Sequence, residues 1–133
     1  MRLEFTIGLP PVSKKNHSRI ITAHGRPMII PSKQYVQYEK DCALFIPRLE
    51  QPINTPVNIK ATFYMPTRRL CDLTNLLQSL DDILVKYGVI EDDNRNVLYA
   101  LDGSRVLYDK NLPRTEVVIT AVPEEEFERW KDG

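Results

Sequence analysis

The chain has 133 residues, 42% of them hydrophobic, which is enough for the core of one domain over residues 1–133 and excludes a disordered chain. It contains no apolar run of about 18 residues, so we expect no transmembrane helix. The formal net charge is zero, and residues 1–5 hold no apolar signal region, so we expect a cytoplasmic protein.

The zero net charge hides an uneven distribution of charged residues. Residues 5–38 contain no Asp or Glu, and their basic residues are Lys14, Lys15, Arg19, Arg26 and Lys33. The acidic residues gather at 81–82, at 91–93 and at 124–128. This segregation predicts one basic surface and one acidic pocket. The alternative is a solvated loop and a solvated tail, and we favour that alternative for the terminal acids.

Two cysteines, Cys42 and Cys71, match no zinc-binding spacing, and the chain has only two histidines. A structural zinc site normally needs four such ligands. We therefore expect two reduced thiols, as is usual in the cytoplasm.

The first half of the chain predicts a strand, a long connection and a helix. Residues 2–8 alternate as a strand does, and Pro10 ends it. Residues 12–34, rich in Ser, Lys, Asn, Gly and Pro, are interpreted as a long loop, which is usually functional or disordered. Residues 35–47 have helical spacing, with Ser32 as the expected cap and Tyr35, Tyr38 and Phe45 expected in the core.

A strand over residues 56–65 and a helix from near Asp72 to Tyr87 follow. The helix is the clearest element, because its apolar residues form one stripe. These are Leu73, Leu76, Leu77, Leu80, Ile83 and Leu84. We expect Gly88 to end the helix in the left-handed conformation, with Val89 folding back on Leu84.

The remaining residues predict strands at 96–101, 104–108 and 115–122, with a turn at 109–113. Asp102-Gly103 is typical of a hairpin, and a bulge within one long strand is the alternative. Strand 56–65, helix 73–87 and strand 96–101 are expected to form a crossover unit. The fold class is therefore α/β: a single domain with a mixed β-sheet and two main helices packed on it. Trp130 is expected to be a docking anchor.

The polar face of the 73–87 helix carries the candidate chemistry. Asp72, Asn75, Ser79, Asp82 and Lys86 share this face, and Gln78 lies at its margin. An ordinary solvated face is the alternative, and Asp81 is expected on the solvated surface. The acidic triplet at 91–93 favours a function, because several carboxylates with few nitrogen or sulfur ligands suit Mg²⁺. Such an ion activates water and polarises a phosphodiester.

Residues 68–78, Arg-Arg-Leu-Cys-Asp-Leu-Thr-Asn-Leu-Leu-Gln, followed by Asp82 and by Glu-Asp-Asp-Asn at 91–94, resemble the RusA family of Holliday junction resolvases, which prophages often carry. That family's signature is Asp-x-Asp-Asn, a Lys three residues later, an Asp four further on, and an Asp-Asp pair that opens a strand. Residues 8–16, Gly-Leu-Pro-Pro-Val-Ser-Lys-Lys-Asn, also look like the family's first strand and basic loop.

The resemblance implies a RusA-like fold and a homodimer that binds a four-way DNA junction. It also implies a Mg²⁺-dependent endonuclease, with Mn²⁺ able to substitute, that makes two symmetric cuts in recombination and repair. The implied catalytic residues are Asp72, Asn75, Gln78 and Asp93, and the implied metal ligands are Asp72, Asp82, Asp92 and Asp93. The expected DNA contacts are Lys14, Lys15, Arg19, Arg26, Arg68, Arg69 and Arg105.

Two positions depart from the family's pattern. Thr74 stands where the family has its second Asp, and Gln78 stands where it has Lys. Glu91 or Asp82 is a candidate for the missing carboxylate, and Lys86 for the missing Lys. Three functions stay open: an active resolvase, a non-catalytic junction-binding module, and a nuclease for flaps or other branched DNA. Asp72 as a plain helix cap is the structural alternative for that residue.

Overall fold

The computed structural model describes residues 1–15 and 18–132; for residues 18–19 and 130–132 it describes the backbone alone. In chain order the elements are β1 (Arg2–Ile7), β2 (Ser18–Ala23), β3 (Arg26–Pro31), α1 (Lys33–Cys42), β4 (Val57–Met65), α2 (Leu73–Lys86), β5 (Leu98–Ala100), β6 (Arg105–Tyr108), β7 (Arg114–Ala121) and α3 (Glu124–Asp132). This is the α/β class with one mixed sheet, as the sequence predicted.

The main sheet has the strand order β1-β7-β4, with β5 and β6 both beyond β4. β7 lies antiparallel between β1 and β4. β5 and β6 run parallel to β4, so the chain crosses over through α2 between parallel strands. The predicted crossover unit is therefore present.

β5 and β6 are two parts of one edge strand. β5 pairs with the start of β4 and β6 with its end. The edge strand holds one more residue than β4 between the pairs Asn58–Ala100 and Thr62–Arg105. An extra residue on one strand makes a bulge. The bulge at Asp102-Gly103 is thus correct and the hairpin is wrong.

Side chains bridge the gap that the bulge leaves in the strand pairing. The Asp102 amide donates to Asn58 Oδ1 at 2.8 Å, and Asn58 Nδ2 donates to the Asp102 carbonyl at 3.1 Å. Ser104 Oγ accepts from the Ala61 amide at 3.0 Å. These bonds replace ladder hydrogen bonds and hold the edge strand in register.

One face of the sheet and the apolar face of α2 form the core. The fully buried residues include Val57, Ile59 and Phe63 on β4, Val117 and Ile119 on β7, and Leu76, Leu80, Ile83 and Leu84 on α2. Tyr35 and Tyr38 of α1 join them, as expected, and Phe45 packs half-buried against the same cluster. The leucine stripe was therefore a correct guide to the core.

Both predicted ends of α2 are confirmed. The Asp72 side chain caps the first turn by accepting from the Thr74 amide at 3.0 Å. At the other end Gly88 has φ 73°. The Val89 amide donates to the Leu84 carbonyl at 2.9 Å, and the Gly88 amide donates to Val85 at 3.1 Å. This pair of bonds is the Schellman motif.

The interpretation of residues 12–34 as one long loop is wrong. β2 and β3 form a hairpin in this segment, joined by His24 and Gly25, both with positive φ (53° and 73°). Positive φ at both turn residues matches the right-handed twist of a two-residue hairpin. Ile20 and Ile29, paired across the hairpin, are 73% and 75% exposed. Because the hairpin does not bury one side against the core, its sequence lacks the apolar–polar alternation that would predict two strands.

α1 differs from its predicted bounds, and α3 was not predicted at all. α1 begins after Ser32, whose side chain accepts from the Tyr35 amide as expected, but it ends at Cys42 instead of residue 47. The C-terminal acids Glu124, Glu125 and Glu126 are exposed to solvent, as expected, and lie in α3. Phe127 of α3 packs edge-on against Tyr99, with ring centroids 6.0 Å apart. The predicted docking of the Trp130 side chain lies outside the described residues.

Among the described residues, no helix combines the length and apolar character needed to cross a bilayer. Both cysteines are free, Cys42 buried and Cys71 exposed.

Candidate functional site

The polar face of α2 is covered by the basic segment at 12–15. The Lys14 amide donates to Ser79 Oγ at 2.8 Å, and Ser79 Oγ donates to the Asn75 carbonyl at 3.0 Å. Asn75 and Ser79 are consequently buried. The alternative of an ordinary solvated face does not hold for these two residues, because the basic segment is docked on the helix there.

A cavity of about 330 Å³ lies where the basic segment, β3 and α2 meet. Its polar wall consists of Lys14, Lys15, Gln78, Ser79 and Asp82, and its apolar wall comes from residues 29–31. Two cations thus lie beside a carboxylate and a neutral amide. The phosphate backbone of a nucleic acid can approach this wall on the side of the two lysines.

Asp82 is half-buried at this cavity. Burial raises the pKa of its carboxyl above the usual range, the Lys14 charge opposes that rise, and the Asp93 charge adds to it. The convergence of Asp82 and Asp93 on one metal ion stays a prediction.

Asp72 occupies a separate position at the N-terminus of α2. Its Oδ1 accepts from the Thr74 hydroxyl at 2.6 Å as well as from the Thr74 amide. These hydrogen bonds lower the pKa of the exposed Asp72 carboxyl. Asp72, Arg69 and Cys71 line a second groove of about 670 Å³. Asp72 is thus a helix cap in this structure, a role that metal binding does not exclude.

Asp92 and Asp93 lie in the acidic loop after α2 and differ in their surroundings. Asp92 Oδ1 accepts from the Asp93 amide at 2.7 Å, and Asp92 Oδ2 accepts from Asn94 Nδ2 at 3.2 Å. Asp92 therefore shapes the turn. Asp93 is exposed, and its charge acts on Asp81 and Asp82.

Asp81 is the residue whose predicted environment is most clearly wrong. It is 7% exposed, although it was expected on the surface. Burial first, and then the charges of Asp93 and Asp82, raise the pKa of Asp81 to about 7. Asp81 is the residue of this region whose burial the sequence did not reveal.

The structure keeps predicted metal ligands apart. Asp82 lies at the cavity with Lys14 and Lys15, whereas Asp72 caps the N-terminus of a helix about 20 Å long. Within residues 1–15 and 18–132, no group of three or more His, Cys, Asp or Glu side chains is placed to hold a metal ion. The described residues thus place acids at the cavity and at the N-terminus of α2, and not in one assembled cluster.

The predicted DNA contacts are spread over the hairpin side and the α2 N-terminal side of the molecule. Lys14, Lys15, Arg26, Arg69 and Arg105 are exposed. Arg68 stacks on the Tyr108 ring at 4.6 Å, and Arg105 Nε donates to the Gly103 carbonyl at 3.2 Å. The Arg19 side chain lies outside the described residues.

Lys86, a candidate for the missing Lys, pairs with a residue of α1. It forms an ion pair with Glu39 of α1, and the neighbouring Tyr87 hydroxyl donates to the Glu39 carbonyl at 2.8 Å. These contacts join α1 to the end of α2. Lys86 thus serves helix packing in this structure, which argues against it as a replacement for the Lys missing at Gln78.

Comparison with known families agrees with these observations. The family model described as Endodeoxyribonuclease RusA matches residues 8–120, which include the basic segment, α2 and the acidic loop. A comparison with curated proteins found no match. The match spans most of the chain and makes nuclease chemistry the activity of its family. The chain belongs to the RusA endodeoxyribonuclease family.

Proposed function

We propose that this protein is a metal-dependent endonuclease that cuts four-way DNA junctions during recombination and repair. The observation that carries the proposal is the cavity whose wall combines Lys14 and Lys15 with the carboxylate of Asp82. Two cations that attract phosphate and one carboxylate that attracts a divalent ion lie within one pocket. That combination is what cleavage of a phosphodiester requires.

The donor set fits Mg²⁺ or Mn²⁺ better than a softer metal. Asp82 and Asp93 offer carboxylate oxygens, and Gln78 adds an amide oxygen. Mg²⁺ needs only one or two protein carboxylates and completes its shell with water and phosphate oxygens. When bound, the ion polarises the phosphodiester and lowers the pKa of a coordinated water.

The other residues bind and position the substrate in this proposal. Lys14 and Lys15 neutralise phosphate charge at the cavity. Gln78 offers a neutral hydrogen-bond donor where the family signature has a cation, so we expect weaker stabilisation of developing charge. Asp72 presents a second carboxylate along the same helix face.

We also propose a homodimer as the working unit. A four-way junction has two equivalent strands, and a two-fold symmetric dimer offers one site to each. Two cuts at symmetric positions would then follow from the symmetry of the enzyme.

The direct test compares cleavage of three DNA substrates by the purified protein with Mg²⁺, with Mn²⁺ and with a chelator. The substrates are a mobile four-way junction, a flap and a linear duplex. Metal-dependent nicks on the four-way junction alone are the expected result. Equal cutting of the flap would favour a general nuclease for branched DNA.

Asp72→Asn tests the second acidic position. Asn caps a helix as well as Asp does, so we expect the variant to fold and to bind the junction. Cleavage should be lost, because an amide does not replace a carboxylate toward a divalent ion. Loss of both binding and cleavage would assign Asp72 a structural role.

A second candidate function is a junction-binding module without catalysis. Thr74 and Gln78 favour it, since both positions lack the charged group that the family signature has there. This candidate predicts tight junction binding with no nicks under either metal.

A further inference from the structure

The hairpin of β2 and β3 exposes apolar side chains on both of its faces. Ile20 and Ile29 are cross-strand partners and are 73% and 75% exposed. The next pair, Ile21 and Met28, is 36% and 46% exposed. Successive residues of a strand point to opposite faces, so each face carries one of these pairs. Neighbouring apolar side chains that stay in water indicate a surface that binds a partner.

The charges around the hairpin favour a polyanion as that partner. Residues 5–38, which contain the whole hairpin, include no Asp or Glu. Lys14 and Lys15 precede the hairpin, Arg26 begins β3 and Lys33 follows it, and all four side chains are exposed. An apolar surface on such a basic segment suits a nucleic acid, whose phosphates the cations attract. The hairpins of two copies of this chain would instead repel each other.

The hairpin is also continuous with the candidate site. Ile29, Ile30 and Pro31 form the apolar wall of the cavity that Lys14 and Lys15 line. Ile29 lies two residues before the end of β3, so the Ile20–Ile29 pair is about 7 Å along the strand from that end. A phosphate held by the two lysines therefore has its neighbouring bases within reach of the pair.

Aliphatic side chains act on DNA by inserting between stacked bases. Isoleucine, leucine and methionine serve as such wedges in proteins that distort a duplex. Insertion costs free energy because stacking is lost, and the cost is smallest where bases are already unpaired or unstacked. The branch point of a four-way junction is such a place, because the strands change partners there. The apolar pair thus fits a branch point better than a continuous duplex.

We propose that the Ile20–Ile29 pair packs against the bases at the branch point of a DNA junction while Lys14 and Lys15 hold the adjacent phosphates. This pair is favoured over the one on the opposite face because it is more exposed and because Ile29 borders the cavity. The inference rests on the proposed junction nuclease. It adds the feature by which this chain distinguishes branched from linear DNA.

The first test uses the wild type and four-way junctions that carry the fluorescent base 2-aminopurine. The fluorescence of this base rises when it loses its stacking neighbours. With a chelator present to prevent cutting, saturating protein should raise the fluorescence of a probe beside the branch point and not that of a probe in the middle of an arm. A bound junction with no rise beside the branch point in any of its four strands would overturn the proposal.

Ile20→Thr tests the pair itself. Threonine keeps the β-branched shape that strands favour, and Ile20 is exposed, so we expect the hairpin to form. Junction affinity should fall about tenfold, because an aliphatic group no longer leaves water on binding. Duplex affinity should change by less than about twofold, since phosphate contacts dominate it. Equal losses for junction and duplex would contradict branch recognition by the pair.

Leu44→Thr is the matched control. Leu44 is 84% exposed and lies between α1 and β4, away from the residues that line the cavity. Its junction affinity and its probe fluorescence should match those of the wild type. An unchanged junction affinity in Ile20→Thr, or an equal loss in Leu44→Thr, would overturn the proposal.

Sedimentation of the free proteins tests the alternative that a second copy of this chain covers the hairpin. The wild type and Ile20→Thr should have the same mass in solution. A smaller mass for Ile20→Thr would identify the pair as a contact between copies and would overturn the proposal.

Junction cleavage with metal by the same preparations separates this inference from the proposed function. If the wild type cleaves the junction but the probe beside the branch point does not respond, the inference fails and the nuclease stands. If the probe responds and no metal gives nicks, the nuclease fails and the inference stands as a property of a binding module. If the wild type neither binds nor cleaves the junction, both fail.

Discussion

Ser79 shows how one small side chain positions the basic segment at the candidate site. Its hydroxyl receives the Lys14 amide and donates to the Asn75 carbonyl, and the residue is 3% exposed. No charge is involved, yet the location of Lys14 beside Asp82 depends on this contact. The position of a positive charge at the cavity thus depends on a hydrogen bond to a neutral side chain.

Ser79→Ala should lower both stability and junction affinity. Loss of the hydrogen bond should reduce the free energy of unfolding by about 1 kcal/mol. The freed segment should also order less well on DNA, and the dissociation constant for a four-way junction should rise. Urea unfolding and a binding titration measure the two effects.

Ser104→Ala is the matched control for that experiment. Ser104 also accepts a backbone amide and donates to a carbonyl, but in the edge strand. It should lose similar stability and keep its junction affinity. Equal affinity losses in both variants would show that Ser79 acts only through stability.

At the scale of elements, α2 was predictable and the hairpin was not. The ends of α2 are set by local chemistry, the Asp72 cap and the left-handed Gly88, and its stripe faces the core. β2 and β3 carry exposed apolar residues on both faces, so no alternation against a core reveals them. His24 has a positive φ, which the sequence did not predict.

The edge strand and α1 show a second limit. The bulge is held by Asn58 and Ser104, whose bonds exist only once β4 and the edge strand are aligned. Helical spacing alone placed the end of α1 at residue 47, whereas the chain leaves the α-helix after Cys42 through a tighter turn. Non-local contacts of this kind are not encoded in local periodicity.

The turn between β6 and β7 offers a pH prediction. Asp109 Oδ1 accepts from the Asn111 and Leu112 amides, both at 3.1 Å, and Asp109 Oδ2 accepts from Arg114 at 2.9 Å. The amide bonds and the Arg114 guanidinium lower the pKa of Asp109. A lowered folded-state pKa contributes stability that is present above the unfolded-state value and lost as pH falls through the folded-state value.

Asp109→Asn should therefore be less stable than the wild type at pH 7, and the difference should shrink below about pH 4. Chemical unfolding of both proteins across this pH range measures it. A difference that stays constant with pH would assign the effect to packing and not to the charge.

At the scale of the whole molecule, the sequence predicted the ingredients of the site better than their arrangement. It identified the basic segment and Asp82, which line one cavity. It wrongly placed Asp81 on the surface, whereas that side chain is buried. Whether Asp72 and Asp93 meet depends on the path of the loop after α2, and helical periodicity carries no information on that path.

The uneven charge distribution predicts a strong salt dependence of DNA binding. If Lys14 and Lys15 each neutralise a phosphate, the slope of log affinity against log salt should fall by about 0.9 for each Lys→Ala change. Lys40→Ala is the control, an exposed cation on α1 outside the acid-free segment. Its slope should match the wild type. Unchanged slopes for Lys14→Ala and Lys15→Ala would remove the basic segment from the DNA interface.

The most direct test of the account is cleavage of a mobile four-way junction by the wild type and by Asp93→Asn, with Mg²⁺ and with a chelator. Asp93 is exposed, so the substitution should leave the fold intact. The account predicts paired, symmetric nicks by the wild type only with metal, and none by Asp93→Asn, with junction binding retained in both. Nicks of wild-type yield from Asp93→Asn, or nicks that persist in the chelator, would contradict it.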